Sequence, residues 1–119
     1  MNESKVSKWL NELKRIWLEK DIPALKETLA DKFDYYEDPY QPAIKTWEEL
    51  ESAWQEINDQ DIEQLDIQVL IDGDHEGSAM YHFVYANPVG TQCESRGSYY
   101  LRLDSEGRAT EFRQWWTIK

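Results

Sequence analysis

Cysteine is all but missing from this sequence: Cys93 stands alone among 119 residues. A single thiol makes no internal disulfide and no cysteine-based zinc cluster, so neither staple holds the fold. Histidine is nearly as scarce, with only His75 and His82. No apolar run reaches the roughly 18 residues that a membrane-spanning helix needs. No basic-then-apolar leader opens the chain, so neither a membrane span nor a secretory signal is expected, and a cytoplasmic location is. Positive charge is also short: 13 Lys and Arg against 24 Asp and Glu leave a net charge of −11. Phosphate backbones require a basic footprint, so nucleic acid is excluded as a partner. The acids gather at Glu48, Glu49, Glu51 and Glu56 and around Asp59 to Asp66, where they read as solvated surface. Glycine and proline are too sparse and scattered to form a linker, and no repeat or low-complexity stretch occurs.

Aromatic residues are plentiful instead, with six Trp, seven Tyr and three Phe. The length suits one domain spanning residues 1–119, since compact domains most often run about 100–150 residues. Such a chain buries roughly two thirds of its unfolded surface, enough for a core without staples. Trp and Tyr are bulky and carry a donor, so they line a cavity as readily as they fill one.

Val6, Trp9, Leu10, Leu13, Ile16 and Trp17 recur at three- and four-residue spacing, which predicts an amphipathic helix over Ser4 to Lys20. Asp21-Ile22-Pro23 then restarts the chain, with Pro suited to a first helical turn. A second short helix through Leu25 and Leu29 is expected to end near Asp31. Phe33 to Glu37 reads as a strand stopped by Pro39, which has no backbone donor for a ladder. Thr46 and Glu49 match a capping box, opening a third helix that carries Trp47, Leu50, Ala53, Trp54 and Ile57.

From Leu65 the apolar period falls to two, through Ile67, Val69 and Ile71. Asp72-Gly73-Asp74 signals a hairpin turn. Strands follow at Ala79 to Ala86, Cys93 to Leu103 and Ala109 to Ile118. The order predicts an α+β fold, with helices packed on one face of a bent antiparallel sheet.

The last two runs are the most informative. Alternation puts Tyr99, Leu101 and Leu103 on one face, and likewise Phe112, Gln114 and Trp116. Glu111, Arg113 and Trp115 then share the opposite face with Tyr100 and Arg102. A row of large apolar groups with a few polar tips suits a small-molecule pocket, and it suits an ordinary core too. An exposed Trp beside Arg is a composition enriched in interfaces, so a homodimer through the face carrying Tyr100, Arg102, Arg113 and Trp115 is expected.

The element order, the Glu37-Asp38-Pro39 after the first strand and the Gly-x-x-x-x-Phe-Arg-x-x-Trp of the last strand resemble the nuclear transport factor 2-like superfamily. That group includes the SnoaL-type polyketide cyclases and ketosteroid isomerase. The resemblance implies a cone-shaped half-barrel, three N-terminal helices closing a strongly bent, mainly antiparallel sheet over a pocket, and frequently a dimer through the sheet's outer face. It also implies roles. Asp38 matches the general base of the isomerase, and Tyr99 the protonated acid of its oxyanion hole. The first-helix position of its oxyanion tyrosine is occupied by the apolar Leu13, so a steroid-type enolisation site is incomplete.

The residues themselves allow two readings. Asp38, ringed by Tyr35, Tyr36 and Tyr40, is either a desolvated acid–base group or the cap of its own turn. Tyr99 is positioned to donate to a ligand oxygen. His82 forms an acid–base dyad with Asp38 if it faces inward, and is a packed side chain if Tyr81, Phe83 and Tyr85 take that face instead. Trp17, Tyr36, Trp54, Phe112, Gln114 and Trp116 are the candidate ligand contacts. Asp72, Asp74, His75 and Glu76 lack the spacing of a calcium hand or of paired zinc histidines. With no nucleotide loop, serine nucleophile motif or cysteine–histidine pair, no metal or cofactor is expected. The functional expectation is a pocket for a small apolar molecule with one polar end, used for cofactor-free isomerisation, cyclisation or dehydration. The alternative is a non-catalytic sensing or association module.

Overall fold

The computed structural model describes residues 4–119. Helix α1 (Lys5–Glu19) starts where the Ser4 hydroxyl accepts from the Ser7 N–H at 3.1 Å. It ends at Lys20, whose left-handed backbone returns its N–H to the carbonyls of Ile16 and Trp17. Its buried side chains are the six that the spacing selects, Val6 through Trp17. Helix α2 (Ile22–Glu27) carries Pro23 in its first turn.

The chain leaves α2 earlier than its periodicity suggests, and Leu29 opens strand β1 (Leu29–Tyr36) rather than extending the helix. The cause is tertiary. The Thr28 carbonyl accepts from the Ala109 N–H at 2.8 Å and from Trp9 Nε1 at 2.9 Å, so sheet pairing claims it directly after the helix. Thr46 caps helix α3 (Trp47–Trp54), which tightens into a 3₁₀-helix over Gln55–Asp59. Three long strands then meander: β2 (Asp61–Asp72), β3 (Glu76–Ala86) and β4 (Gln92–Leu103), followed by β5 (Ala109–Ile118).

The five strands form one sheet in the order β1-β5-β4-β3-β2. Only β1 and β5 run parallel; the other pairs are antiparallel. The sheet is curled but not closed, a cone with the helices on its inner side. Tyr99 sits opposite Gln114, Leu101 opposite Phe112 and Ala79 opposite Tyr99, so one inward row crosses three strands. Helix α1 packs on that row, with the Trp9 ring 5.4 Å from Phe112 and the Trp17 ring 4.7 Å from Phe83. Burying Leu10, Leu13 or Leu101 contributes about 1.5–3 kcal/mol each. Among the described residues no helix is long and apolar enough to cross a membrane.

Gly97 lies between Tyr81 and Trp116 in the ladder. A Cβ there would collide with the Trp115 carbonyl oxygen and sit 2.8 Å from the Tyr81 ring. The strands close up at this point because the residue has no side chain. Gly97→Ala is expected to destabilise the fold by about 1–3 kcal/mol, measured by urea unfolding. An unchanged midpoint would contradict the close approach.

Candidate functional site

The C-terminal half of α1, the end of β1, α3 with its 3₁₀ extension, and the inward rows of β3, β4 and β5 enclose a cavity of about 340 Å³. That volume is within the usual range of small-molecule sites, roughly 300–1,000 Å³. Leu13 and Trp17 form its helical wall, Trp54 and Ile57 its side, and Tyr81, Phe83, Tyr99 and Phe112 its floor.

Tyr99 is the most deeply buried polar member, 1 % exposed. Its ring stacks on Tyr81 at 4.8 Å and tilts against Phe112 at 5.1 Å. Among the described residues its hydroxyl is the one buried side-chain polar atom with no hydrogen-bond partner. Leaving such a group unsatisfied costs about 1–3 kcal/mol. Burial, and then the neighbouring phenols Tyr81 and Tyr35, hold its proton far above the usual phenol range. The group therefore stays a neutral donor.

The phenols around it are engaged. Tyr81 Oη is 3.1 Å from Ser95 Oγ and accepts from Gln114 Nε2 at 3.4 Å. Tyr35 Oη accepts from Trp54 Nε1 at 3.2 Å, and burial pushes the Tyr35 phenol up as well.

Three carboxyl groups border the same cavity: Glu37, Asp38 and Glu56. Asp38 Oδ1 accepts from the N–H groups of Tyr40 at 2.7 Å and Gln41 at 3.1 Å, so this side chain caps the turn at Pro39 while it lines the cavity. Glu37 differs. Desolvation first, then the charges of Glu56 and Asp38, raise its carboxyl above the ordinary range. Glu37 is not among the residues to which the resemblance assigns a role, but it shares the parity of the inward Phe33 and Tyr35.

Trp17, Trp54, Phe112, Gln114 and Trp116 line the cavity together with Asp38 and Tyr99. Tyr36 and His82 do not join them. Tyr36 follows Tyr35 on the opposite face, where the Arg113 guanidinium lies 4.1 Å from its ring centre. His82 is set outward by the inward Tyr81 and Phe83, so it forms no dyad with Asp38. Its Nε2 is 2.7 Å from Glu94 Oε2, a contact that is the main cause of the lowered Glu94 carboxyl.

The raised Glu37 carboxyl fixes the sign of a pH effect. In the folded chain it keeps its proton to higher pH than in the unfolded chain. Between those two values the native state binds more protons, so stability falls as pH rises through that window. Glu37→Gln is therefore expected to melt higher than the parent near neutral pH and level with it near pH 4, in thermal denaturation followed by circular dichroism. A pH-independent offset would contradict this assignment.

No protein-family model matches the sequence, and no curated protein sequence matches it. Solved structures do match in shape. A Mycobacterium tuberculosis protein in complex with estradiol-17β-hemisuccinate superposes with a TM-score of 0.81 at 16% identity, over 98% of this chain and 99% of that one. The Δ5-3-ketosteroid isomerase from Mycobacterium sp. gives 0.78 at 16%, covering 98% and 99%. SalBIII, an epoxide hydrolase/cyclase-like enzyme of pyran ring formation in the polyether salinomycin, gives 0.81 at 12%, covering 93% and 89%. Together with the element order and the curled five-stranded sheet, these matches show that the chain has the nuclear transport factor 2-like, SnoaL-like fold.

Proposed function

We propose that the chain binds a small, largely apolar molecule in the aromatic cavity and acts on it by cofactor-free proton transfer. The observation that carries this reading is the Tyr99 hydroxyl, buried in the cavity floor with no partner among the described residues. A buried donor without an acceptor is a standing cost, and a ligand oxygen removes it. The phenol then holds the charge that develops on that oxygen, as an oxyanion hole does. Isomerisation, cyclisation and dehydration all need, in addition, a group that moves a proton. Asp38 and Glu37 both border the cavity. Glu37 is the stronger candidate, because its raised carboxyl is nearer to a neutral-pH acid–base group, while one Asp38 oxygen is committed to the turn. The likeness in shape to an isomerase and a cyclase-like enzyme is compatible with this chemistry; fold alone does not assign it.

The test uses uncharged ketones of one to three rings, with binding followed by tryptophan fluorescence and exchange of their α-hydrogens into D₂O followed by NMR. Tyr99→Phe is expected to weaken the best ketone about three- to tenfold without lowering the protein's own stability. Glu37→Gln is expected to abolish protein-dependent exchange while binding persists. Equal binding by Tyr99→Phe would overturn the anchoring role of Tyr99, and no binding by any ketone would overturn the proton-transfer chemistry proposed on it. Binding with no exchange would leave a non-catalytic sensing module.

The outer face of the sheet supports a homodimer. Trp115, Met80 and Ile71 are exposed there, 41 %, 51 % and 61 %, in rows that also carry Tyr100 and Arg113. Arg102 and Arg113 alternate with Glu76 and Glu111, a mixed-sign pattern that complements a rotated copy of itself. Light scattering at micromolar concentration is expected to give twice the chain mass, and Trp115→Glu to halve it. A monomeric parent would remove the dimer.

A further inference from the structure

Among the described residues the carboxylates at the cavity meet no cation. Glu37 and Asp38 at the end of β1 and Glu56 on the 3₁₀-helix border one space, whose described lining includes no Lys, Arg or His. Several cations elsewhere are bound to other groups. Arg15 pairs with Glu12, Glu19 and Asp21, Lys45 with Asp34 and Arg113 with Glu111, while Lys20 donates to the Asn58 carbonyl. Like charges held at the edge of an apolar site repel one another, and a positive group placed among them reverses that effect.

The walls add to the same preference. Trp17, Trp54, Phe83 and Tyr85 surround the space, and aromatic faces attract a cation lying within about 6 Å of the ring centre. On the cavity floor the unpartnered Tyr99 hydroxyl marks a second, separate point of recognition, one that calls for an acceptor. A carboxylate-bearing ligand is disfavoured by both the lining acids and a chain of net charge −11.

We infer that the cavity takes an organic cation: an apolar ring body with a protonated amine held among Glu37, Asp38 and Glu56, and an acceptor atom that reaches Tyr99. The inference rests on the reading of this cavity as a ligand site. It adds the charge of the ligand and the residues that select it.

A matched series on one hydroxyindole body tests it: serotonin, hydroxytryptophol and hydroxyindoleacetic acid, titrated by calorimetry near neutral pH. An opposite charge within about 4–6 Å shifts a carboxylate by roughly one to three pKa units, and linkage gives the cation a matching gain in affinity. Serotonin is therefore expected to bind at least about tenfold more tightly than the alcohol, with the acid weakest. The double variant Glu37→Gln, Glu56→Gln is expected to erase the preference for the amine over the alcohol. Neither position carries packing that the fold needs: Glu56 is exposed and Glu37 is a half-buried acid among like charges. Equal binding of amine and alcohol, or a preference that survives the double variant, overturns the cation inference while the pocket stands. If none of the three binds and the uncharged ketones also fail, the pocket reading falls, and the inference with it.

Discussion

Helix α1 is laid across the concave face of a sheet that curls without closing, and the site depends on that contact. Val6, Trp9 and Leu10 are packed into the core, while Leu13 and Trp17, one and two turns further on, are buried side chains that also border the cavity. The Trp17 ring meets the sheet at Phe83, 4.7 Å away, so the helix and the strands share the cavity wall. Aromatic rings border the space between them. They are large enough to span it and too rigid to collapse into it, since stacking in the Tyr81–Tyr99 and Tyr35–Phe112 pairs fixes their planes. The cavity is thus a consequence of curvature and ring packing together.

The polar groups follow from the same geometry. Period-two alternation sends Tyr99 and Gln114 inward along with Leu101 and Phe112. Gln114 reaches Tyr81, and Ser95 reaches it from the strand beside it, which leaves the Tyr99 hydroxyl, among the described residues, as the buried donor without an acceptor. An apolar residue there would avoid the cost, so the phenol is best understood by what it offers a bound molecule. The two kinds of polar group that border the site are a buried phenol that stays protonated and a carboxyl, Glu37, raised by desolvation and by the charges of Glu56 and Asp38.

Much of this was legible in the sequence because two periodicities are clean. The helical spacing from Val6 to Trp17 holds, as do the alternations Tyr99–Leu101–Leu103 and Phe112–Gln114–Trp116, while a bulge between Ala109 and Glu111 separates the two runs. The α2–β1 boundary was not legible, because a pairing with Ala109, eighty residues on, ends the helix. His82 was undecidable for another reason. Both faces of β3 carry large apolar side chains, Tyr81 and Phe83 on one, Met80 and Val84 on the other, so apolarity in that stretch leaves the parity open. At the end of β1 the resemblance points to Asp38, which caps its own turn, whereas desolvation and like charge raise the carboxyl of its neighbour Glu37.

The central claim is that the Tyr99 hydroxyl anchors a ligand in this cavity. A crystal structure of the protein soaked with a library of small ring compounds tests it most directly. The account predicts density inside the cavity, with a ligand acceptor atom about 2.5–3.0 Å from Tyr99 Oη. Trp17 and Trp54 rings closed onto Tyr99, or ligands found only on the outer face of the sheet, would contradict it.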